Sequence, residues 1–285
     1  MTTSPESTEL ILVTGASTGM GAATASELAA RGYHVFAGVR REIDGHDLES
    51  SRITPVILDI TQSGQIRDVA ALIEVDGRPL RAVVNNAGIA VNAPVEVLPM
   101  QEWRRQFDVN FFGHIEVTKT LLPALLKSRG RVVMISSIGG RVAQPTYGAY
   151  SGSKFALEAV ADSLRRELAP HGVQVAIVEP GAVRTEMVGR GGVTLKKLSA
   201  DMPADQERRY GGLMRAILTQ SEGFLRTGVE ATQAAKVIAE ASTARRPKTR
   251  YTIGRDAATL TRLARILPDR TLDRLIASSL RTTRK

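Results

Sequence analysis

A short apolar run at residues 10–13 passes directly into Thr14-Gly15-Ala16-Ser17-Thr18-Gly19-Met20-Gly21, and a helical pattern follows from Ala22 to Arg31. Few folds accommodate that junction. The strand must turn sharply, and the glycines keep side chains out of the turn so that a ligand or another backbone can come close. The helix then starts with free N–H groups and the positive end of its dipole at the turn, an arrangement suited to a diphosphate. The spacing is TGxxxGxG rather than GxGxxG, and no Lys-Ser/Thr follows to make a P-loop. Such a turn can also serve close packing alone, so its meaning rests on its surroundings.

The alternation recurs. Residues 33–37, 55–58, 82–84, 132–135, 173–178 and 251–253 read as strands bounded by turn residues. Helices are expected at 100–126, from about 147 to 168 and near 231–241, with a last helical segment from Asp256 interrupted at Pro268. This pattern predicts an α/β fold: a single-domain, Rossmann-type, doubly wound parallel sheet flanked by helices, with ligands beyond the carboxyl ends of the strands. Residues 1–8 read as a polar tail and 9–285 as the domain. After the sixth strand, about 185–225 lacks a steady period and reads as a mobile substrate flap with short helices. Its Val193, Leu195, Leu198, Met202, Leu213, Met214 and Ile217 offer an apolar wall, with ordinary packing as the alternative.

Chemistry-bearing residues fall at the strand ends. The second strand leads into Gly38-Val39-Arg40-Arg41, which has no carboxylate for a ribose 2′-hydroxyl and two cations for a 2′-phosphate, so NADP(H) is expected over NAD(H). Asp59 follows the third strand, placed to reach an adenine or to cap the next helix from Thr61. Asn85-Asn86-Ala87-Gly88 closes the fourth. Asn110 lies in an apolar helical stretch with Phe107, Phe111, Ile115 and Leu121, where a buried amide is costly unless satisfied; it is a structural residue or a site residue. Strand 132–135 delivers Ser137, which could hydrogen-bond an oxygen where negative charge develops. Tyr150 and Lys154 stand four apart on one helix face. A phenol titrates near 10, and lowering it by roughly 3 units takes about 4 kcal/mol, which a neighbouring ammonium could largely supply. On its own such a pair is more often an exposed helix face, so context must carry the reading.

Composition removes several classes of function. No cysteine is present among 285 residues, which excludes disulfides and thiolate metal sites, and no metal-ligand cluster stands out. No apolar run approaches the roughly 18 residues of a membrane span, and the start MTTSPEST lacks a leader pattern, so a cytoplasmic protein is expected. The net charge of +9 sits in residues 243–285, which hold twelve Lys and Arg against three Asp. That tail has Tyr251 as its one aromatic residue, and nucleic-acid binding is not expected. Leu260, Leu263, Ile266 and Leu267 share a helix face beside Arg255, Arg262 and Arg265; the segment either covers the core or makes a weak peripheral contact with an anionic membrane.

Together, TGASTGMG at 14–21, LDI at 58–60, NNAG at 85–88, Asn110 within DVNFFG, Ser137, YSGSK at 150–154, and Pro180-Gly181 with Thr185 resemble the short-chain dehydrogenase/reductase family over residues 10–185. The resemblance implies that Tyr150 is the general acid/base and that Lys154 lowers its pKa and holds the nicotinamide ribose. Ser137 would orient the substrate oxygen, and Asn110 would hold a water linking Lys154 to solvent. Gly15, Ser17, Gly19 and Gly21 would face the diphosphate, Asp59 the adenine, Asn86 and Ala87 the adenosine ribose, and Val183 and Thr185 the nicotinamide amide, with Met20, Ile60, Gly88, Pro180 and Gly181 also in the cofactor site. Members commonly pair through the two long helices as homodimers or homotetramers. VFAGVR, the long flap and the RPKTRYTIGRDAATL stretch are similar to the hydroxysteroid and retinol dehydrogenase branch, which implies a small apolar alcohol or carbonyl substrate. A 3-oxoacyl thioester reductase and an NADP-binding regulator without turnover are the alternatives.

Overall fold

Val13 lies on the strand from which the order of strand addition reverses: it is in register with Ala37 on one side and Val84 on the other. The structure, a computed structural model, describes residues 9–282; the expected polar tail at 1–8 and the last three residues of the basic segment lie outside them. Strands β1 (Leu10–Val13), β2 (His34–Val39), β3 (Ile53–Ile57), β4 (Leu80–Asn85), β5 (Arg131–Ile135), β6 (Gln174–Pro180) and β7 (Arg250–Ile253) form one parallel sheet in the order β3-β2-β1-β4-β5-β6-β7. The expected doubly wound sheet is therefore present. β1 has the expected bounds, and the other strands differ from theirs by a residue or two at either end.

Both faces of the sheet are covered. Leu10 and Leu12 enter one core cluster with α2 (Ser63–Asp76), α4 (Gly113–Ser128) and α5 (Gly148–Leu168), through Ile66, Leu121 and Leu157. Ile11 and Val13 point the other way, toward Leu28 of α1 (Gly19–Ala30) and Ile238 of α8 (Ala231–Thr243). A strand buried on both faces must be apolar throughout, which is why β1 reads LILV without alternation. Each such Leu or Ile contributes about 1.5–3 kcal/mol by leaving water.

Two expectations change. The helix expected over 100–126 is α3 (Met100–Phe107), a π-helical turn (Asp108–Phe112) and then α4; the interruption falls at Asn110, and Pro123 stays inside α4. The flap, expected as short helices, is α6 (Glu186–Ala200) and α7 (Ala204–Thr227). Their regularity comes from a third cluster that buries Leu195, Met214 and Ile217 with Val91 and Leu98. The tail forms α9 (Arg255–Ile266) and α10 (Asp269–Thr282), broken at Pro268 as expected. α9 turns Ala257 and Thr261 inward, while Leu263 is 37% and Ile266 79% exposed. The expected apolar face is thus only partly covered. Among the described residues, no helix is long and apolar enough to cross a membrane.

Candidate active site

Hydrogen bonds tie the glycine turn after β1 to the end of β4. The Thr14 hydroxyl accepts from the backbone N–H groups of Asn86 and Ala87 at 3.0 Å each. Asn86 Nδ2 donates to the carbonyls of Thr14 and Gly15 at 2.9 and 3.1 Å. Gly15 and Gly19 adopt φ of +64° and +57°, the left-handed region. A Cβ on Gly21 would lie 2.2 Å from the Gly15 carbonyl oxygen, so the turn admits no side chain there. α1 then begins with no side-chain cap from Thr18, leaving its first N–H groups toward the space the turn encloses.

That space is a cavity of about 790 Å³ lined by Gly15, Ser17, Gly19, Met20, Gly21, Arg40, Asp59, Ile60, Asn86, Ala87, Gly88 and Thr185. The glycine cradle and the helix end fit a dinucleotide diphosphate. Arg40 stands on the rim, whereas Arg41 is engaged by Asp44 at 2.9 Å and does not line the cavity, so of the two arginines after β2 only Arg40 borders the space where a 2′-phosphate would sit. Asp59 Oδ1 accepts from the Thr61 N–H and hydroxyl at 2.9 and 2.7 Å, the local-cap alternative, while the residue also lines the cavity. Asn86 likewise faces the cavity with its amide committed to the turn. Arg190 and Thr194 of α6 also line it, and no sequence motif pointed to them.

A smaller cavity of about 300 Å³ adjoins it and shares Met20, Asn86, Gly88 and Thr185. Asn110, Ser137, Tyr150 and Lys154 all line this second space, with Pro180, Gly181 and Val183. Apart from Arg41, every residue singled out from the sequence as catalytic or cofactor-binding therefore borders one of two adjoining cavities. Ser137 leaves β5 in extended conformation; its Oγ accepts from the Gly139 N–H at 3.0 Å and donates to the Pro180 carbonyl at 3.5 Å, and it borders the same cavity as the Tyr150 phenol. Lys154 is 4% exposed and donates to the Ile135 carbonyl at 2.8 Å. Burial pushes the Lys154 ammonium down to about 8, with Glu158 opposing the shift.

Tyr150 departs from expectation. Burial pushes its phenol up from the ordinary 10, partly offset by Ser137, and Lys154 is not among the groups lowering it. The ammonium is directed to the β5 carbonyl instead, so desolvation outweighs charge at the phenol. Asn110 is fully buried at the π-helical turn, yet satisfied: its Oδ1 accepts from the Ile89 N–H at 2.9 Å, and its Nδ2 donates to the Ile89 carbonyl at 2.9 Å and faces Ser153 Oγ at 3.4 Å. The cost of burying an amide is thereby met by the segment after NNAG. His114 carried no motif. It is buried beside Ala87 and held neutral, its pKa pushed to about 3 by desolvation and by the Lys154 charge.

The second cavity is mostly apolar, with Ile138, Val142, Met187, Val188, Leu195 and Phe224 on its walls. Of the seven flap residues considered from sequence, Leu195 alone lines it; Val193 is 70% exposed, and Met214 and Ile217 pack in the third core cluster. Spacing in α6 at 187, 188, 191 and 195 was the available signal, since those positions share one helix face. Tyr147 and Ser221 also line the cavity, and burial pushes the Tyr147 phenol up to about 12, with Ser221 opposing the shift.

Residues 9–192 match the family model for short chain dehydrogenases. Retinol dehydrogenase 5 of Mus musculus is 38% identical over 95% of this chain and 89% of its own length. The 3-amino-tetrahydro-pyrrolizinone reductase of Xenorhabdus hominickii is 38% identical over 90% of this chain and 91% of its own. A crystal structure of a short chain dehydrogenase from Burkholderia cenocepacia in complex with NADP superposes with a TM-score of 0.72 at 27% identity, covering 92% of this chain and 94% of that one.

Proposed function

The chain belongs to the short-chain dehydrogenase family, of the retinol and hydroxysteroid dehydrogenase type, and we propose that it is an NADP(H)-dependent oxidoreductase interconverting a small apolar alcohol with its ketone or aldehyde. The observation that carries this reading is the meeting of Ser137, Tyr150 and Lys154 in an apolar cavity that opens into a glycine-lined cradle. Arg40 at the rim, the position where NAD-binding sites of this kind place a carboxylate, supports NADP(H).

The nicotinamide cofactor, when bound, supplies or accepts the hydride. The protein's residues handle position and protons. Ser137 Oγ and the Tyr150 hydroxyl converge on one substrate oxygen, so a carbonyl held there is polarised by two donors. Tyr150 gives its proton to that oxygen during reduction and takes it back during oxidation. Burial that raises the phenol favours the protonated, donating form. Lys154, one turn from Tyr150 and held to the Ile135 carbonyl, keeps a cation on the same helix face as the phenol, and the Asn110 turn fixes the wall behind it through Ile89 and Ser153. Apolar walls exclude water and select a substrate such as a retinoid, steroid or lipid carbonyl.

Two finer readings accompany this one. A homodimer or homotetramer paired through α4 and α5 would cover Leu126 and Phe155, which are exposed on those helices. A weak contact between α9 and an anionic membrane would cover Leu263 and Ile266 beside Arg262 and Arg265. The deciding experiment for the function is NADPH and NADH oxidation against steroid ketones, retinal, aliphatic aldehydes, quinones and oxoacyl thioesters, with Tyr150→Phe alongside. Turnover with NADPH that the variant loses supports the reading. Cofactor binding with no turnover by either protein overturns it in favour of a regulator.

A further inference from the structure

We propose that Glu158, with Glu179 and Arg250, forms a buried positioning network that joins the three chain segments around Lys154 and sets an anion one helical turn from it. The inference rests on the reading of Lys154 as a site residue. Glu158 lies one turn beyond Lys154 on α5 and is 5% exposed; Glu179, at the end of β6 directly before Pro180-Gly181, is 2% exposed. Arg250 of β7 reaches the Glu158 carboxylate at 3.0 Å, Asp162 at 2.9 Å and Glu179 at 3.3 Å. Arg141, just after the helical turn that follows Ser137, lies 3.9 Å from Glu158 and 3.7 Å from Glu179. The segments bearing Ser137, Tyr150 with Lys154, and Pro180-Gly181 are thus joined through one set of charges.

Packing between these segments leaves no slack. A Cβ on Gly140 would stand 2.6 Å from Ser136 Oγ, 3.1 Å from the Lys154 carbonyl and 3.2 Å from Glu158 Cγ. A network of this kind is a poor device for stability, because apolar residues of the same volume usually fill such a site at lower cost. Its value lies in position and charge. The groups facing Glu158 and Glu179 are Lys154 and Asp162 on α5, Arg141 after the Ser137 turn, Arg250 on β7 and the more distant Arg265 on α9. Within this set, Glu158 opposes the lowering of Lys154 by burial, and Glu179 is itself pushed up by burial and by Glu158. Glu158 acts through Lys154 and touches neither cleft directly among the lining residues.

The test is a double-mutant cycle on the cofactor-free protein: wild type, Glu158→Gln, Lys154→Met and the double variant, unfolded in urea at pH 7 and pH 10. The expected result at pH 7 is that Glu158→Gln lowers the folding equilibrium at least about fivefold more when Lys154 is present than when it is Met, a coupling typical of neighbouring charged groups. At pH 10 the excess should vanish, because Lys154 is then neutral. A purely structural Glu158 would give no pH-dependent coupling, and that result overturns the proposal. If Glu158→Gln does not fold, the cycle is run with Glu158→Met combined with Arg250→Met, which leaves no unpaired partner in that ion pair. In turnover assays, Glu158→Gln should also move the alkaline limb of kcat about 0.5–1 pH lower. Absence of coupling while Tyr150→Phe abolishes turnover rejects the network and keeps the enzyme reading. Coupling with no turnover by wild type does the reverse.

Discussion

Lys154 Nζ donates to the Ile135 carbonyl at 2.8 Å, so the end of β5 and the first turns of α5 are joined by a buried ammonium. Ser137 follows Ile135 by two residues, and Tyr150 precedes Lys154 by one turn. One hydrogen bond therefore fixes the separation of the two hydroxyls proposed to meet the substrate oxygen.

That ammonium should be visible in the pH dependence of stability. Burial depresses Lys154 from 10.5 to about 8, so between those values the unfolded chain holds a proton that the folded chain has lost. Stability contributed at this position rises with pH across that window and is least below about 8. Relative to wild type, Lys154→Met should lose ground steadily from pH 8 to 10.5 in thermal melts without cofactor. A constant difference across the window would mean that Lys154 titrates normally.

Ser137→Ala removes one donor from the proposed oxygen site while leaving Tyr150 in place. We expect kcat to fall about 10²-fold with little change in KM for substrate, as for loss of a single oxyanion donor. Steady-state kinetics check this; an unchanged kcat would remove Ser137 from the reaction.

Arg40→Ala should raise KM for NADPH roughly 10- to 100-fold, the range for losing a charge-assisted hydrogen bond, and leave KM for NADH nearly unchanged. Equal effects on both cofactors would show that Arg40 is a surface residue with no part in selecting between them.

Gly21→Ala places a Cβ 2.2 Å from the Gly15 carbonyl oxygen, where backbone must move. Overpacking of this kind costs about 1–3 kcal/mol, which for a chain of this size lowers Tm by several degrees, roughly 3–10 °C. Cofactor affinity, followed by NADPH fluorescence, should fall with it because the cradle opens.

Membrane contact through α9 predicts co-sedimentation with phosphatidylserine vesicles that weakens with salt and is lost in Leu263→Glu/Ile266→Glu. Binding that persists in this variant would assign the interaction elsewhere, and no binding by wild type would end the idea.

The chain's own order of residues determined the layered sheet and the glycine turn, because both are local: a strand buried on two faces must be apolar throughout, and TGASTGMG can follow such a strand only as a tight turn into a helix. It also set Tyr150 and Lys154 on one helix face, a matter of spacing alone. Tertiary structure decided what those groups experience. Whether Lys154 meets the phenol or the Ile135 carbonyl, and whether Asn110 is an unpaid burial or a satisfied one, depends on segments far away in sequence. The same holds for the walls of the second cavity. α6 and α7 have apolar residues on several sides, and only the packing of Met214 and Ile217 against Val91 and Leu98 turns Leu195 and Phe224 toward the second cavity. Glu158, Glu179 and Arg250 carry no motif at all, since long-range charge pairing leaves no period in a sequence; the fold alone brings α5, β6 and β7 to one point.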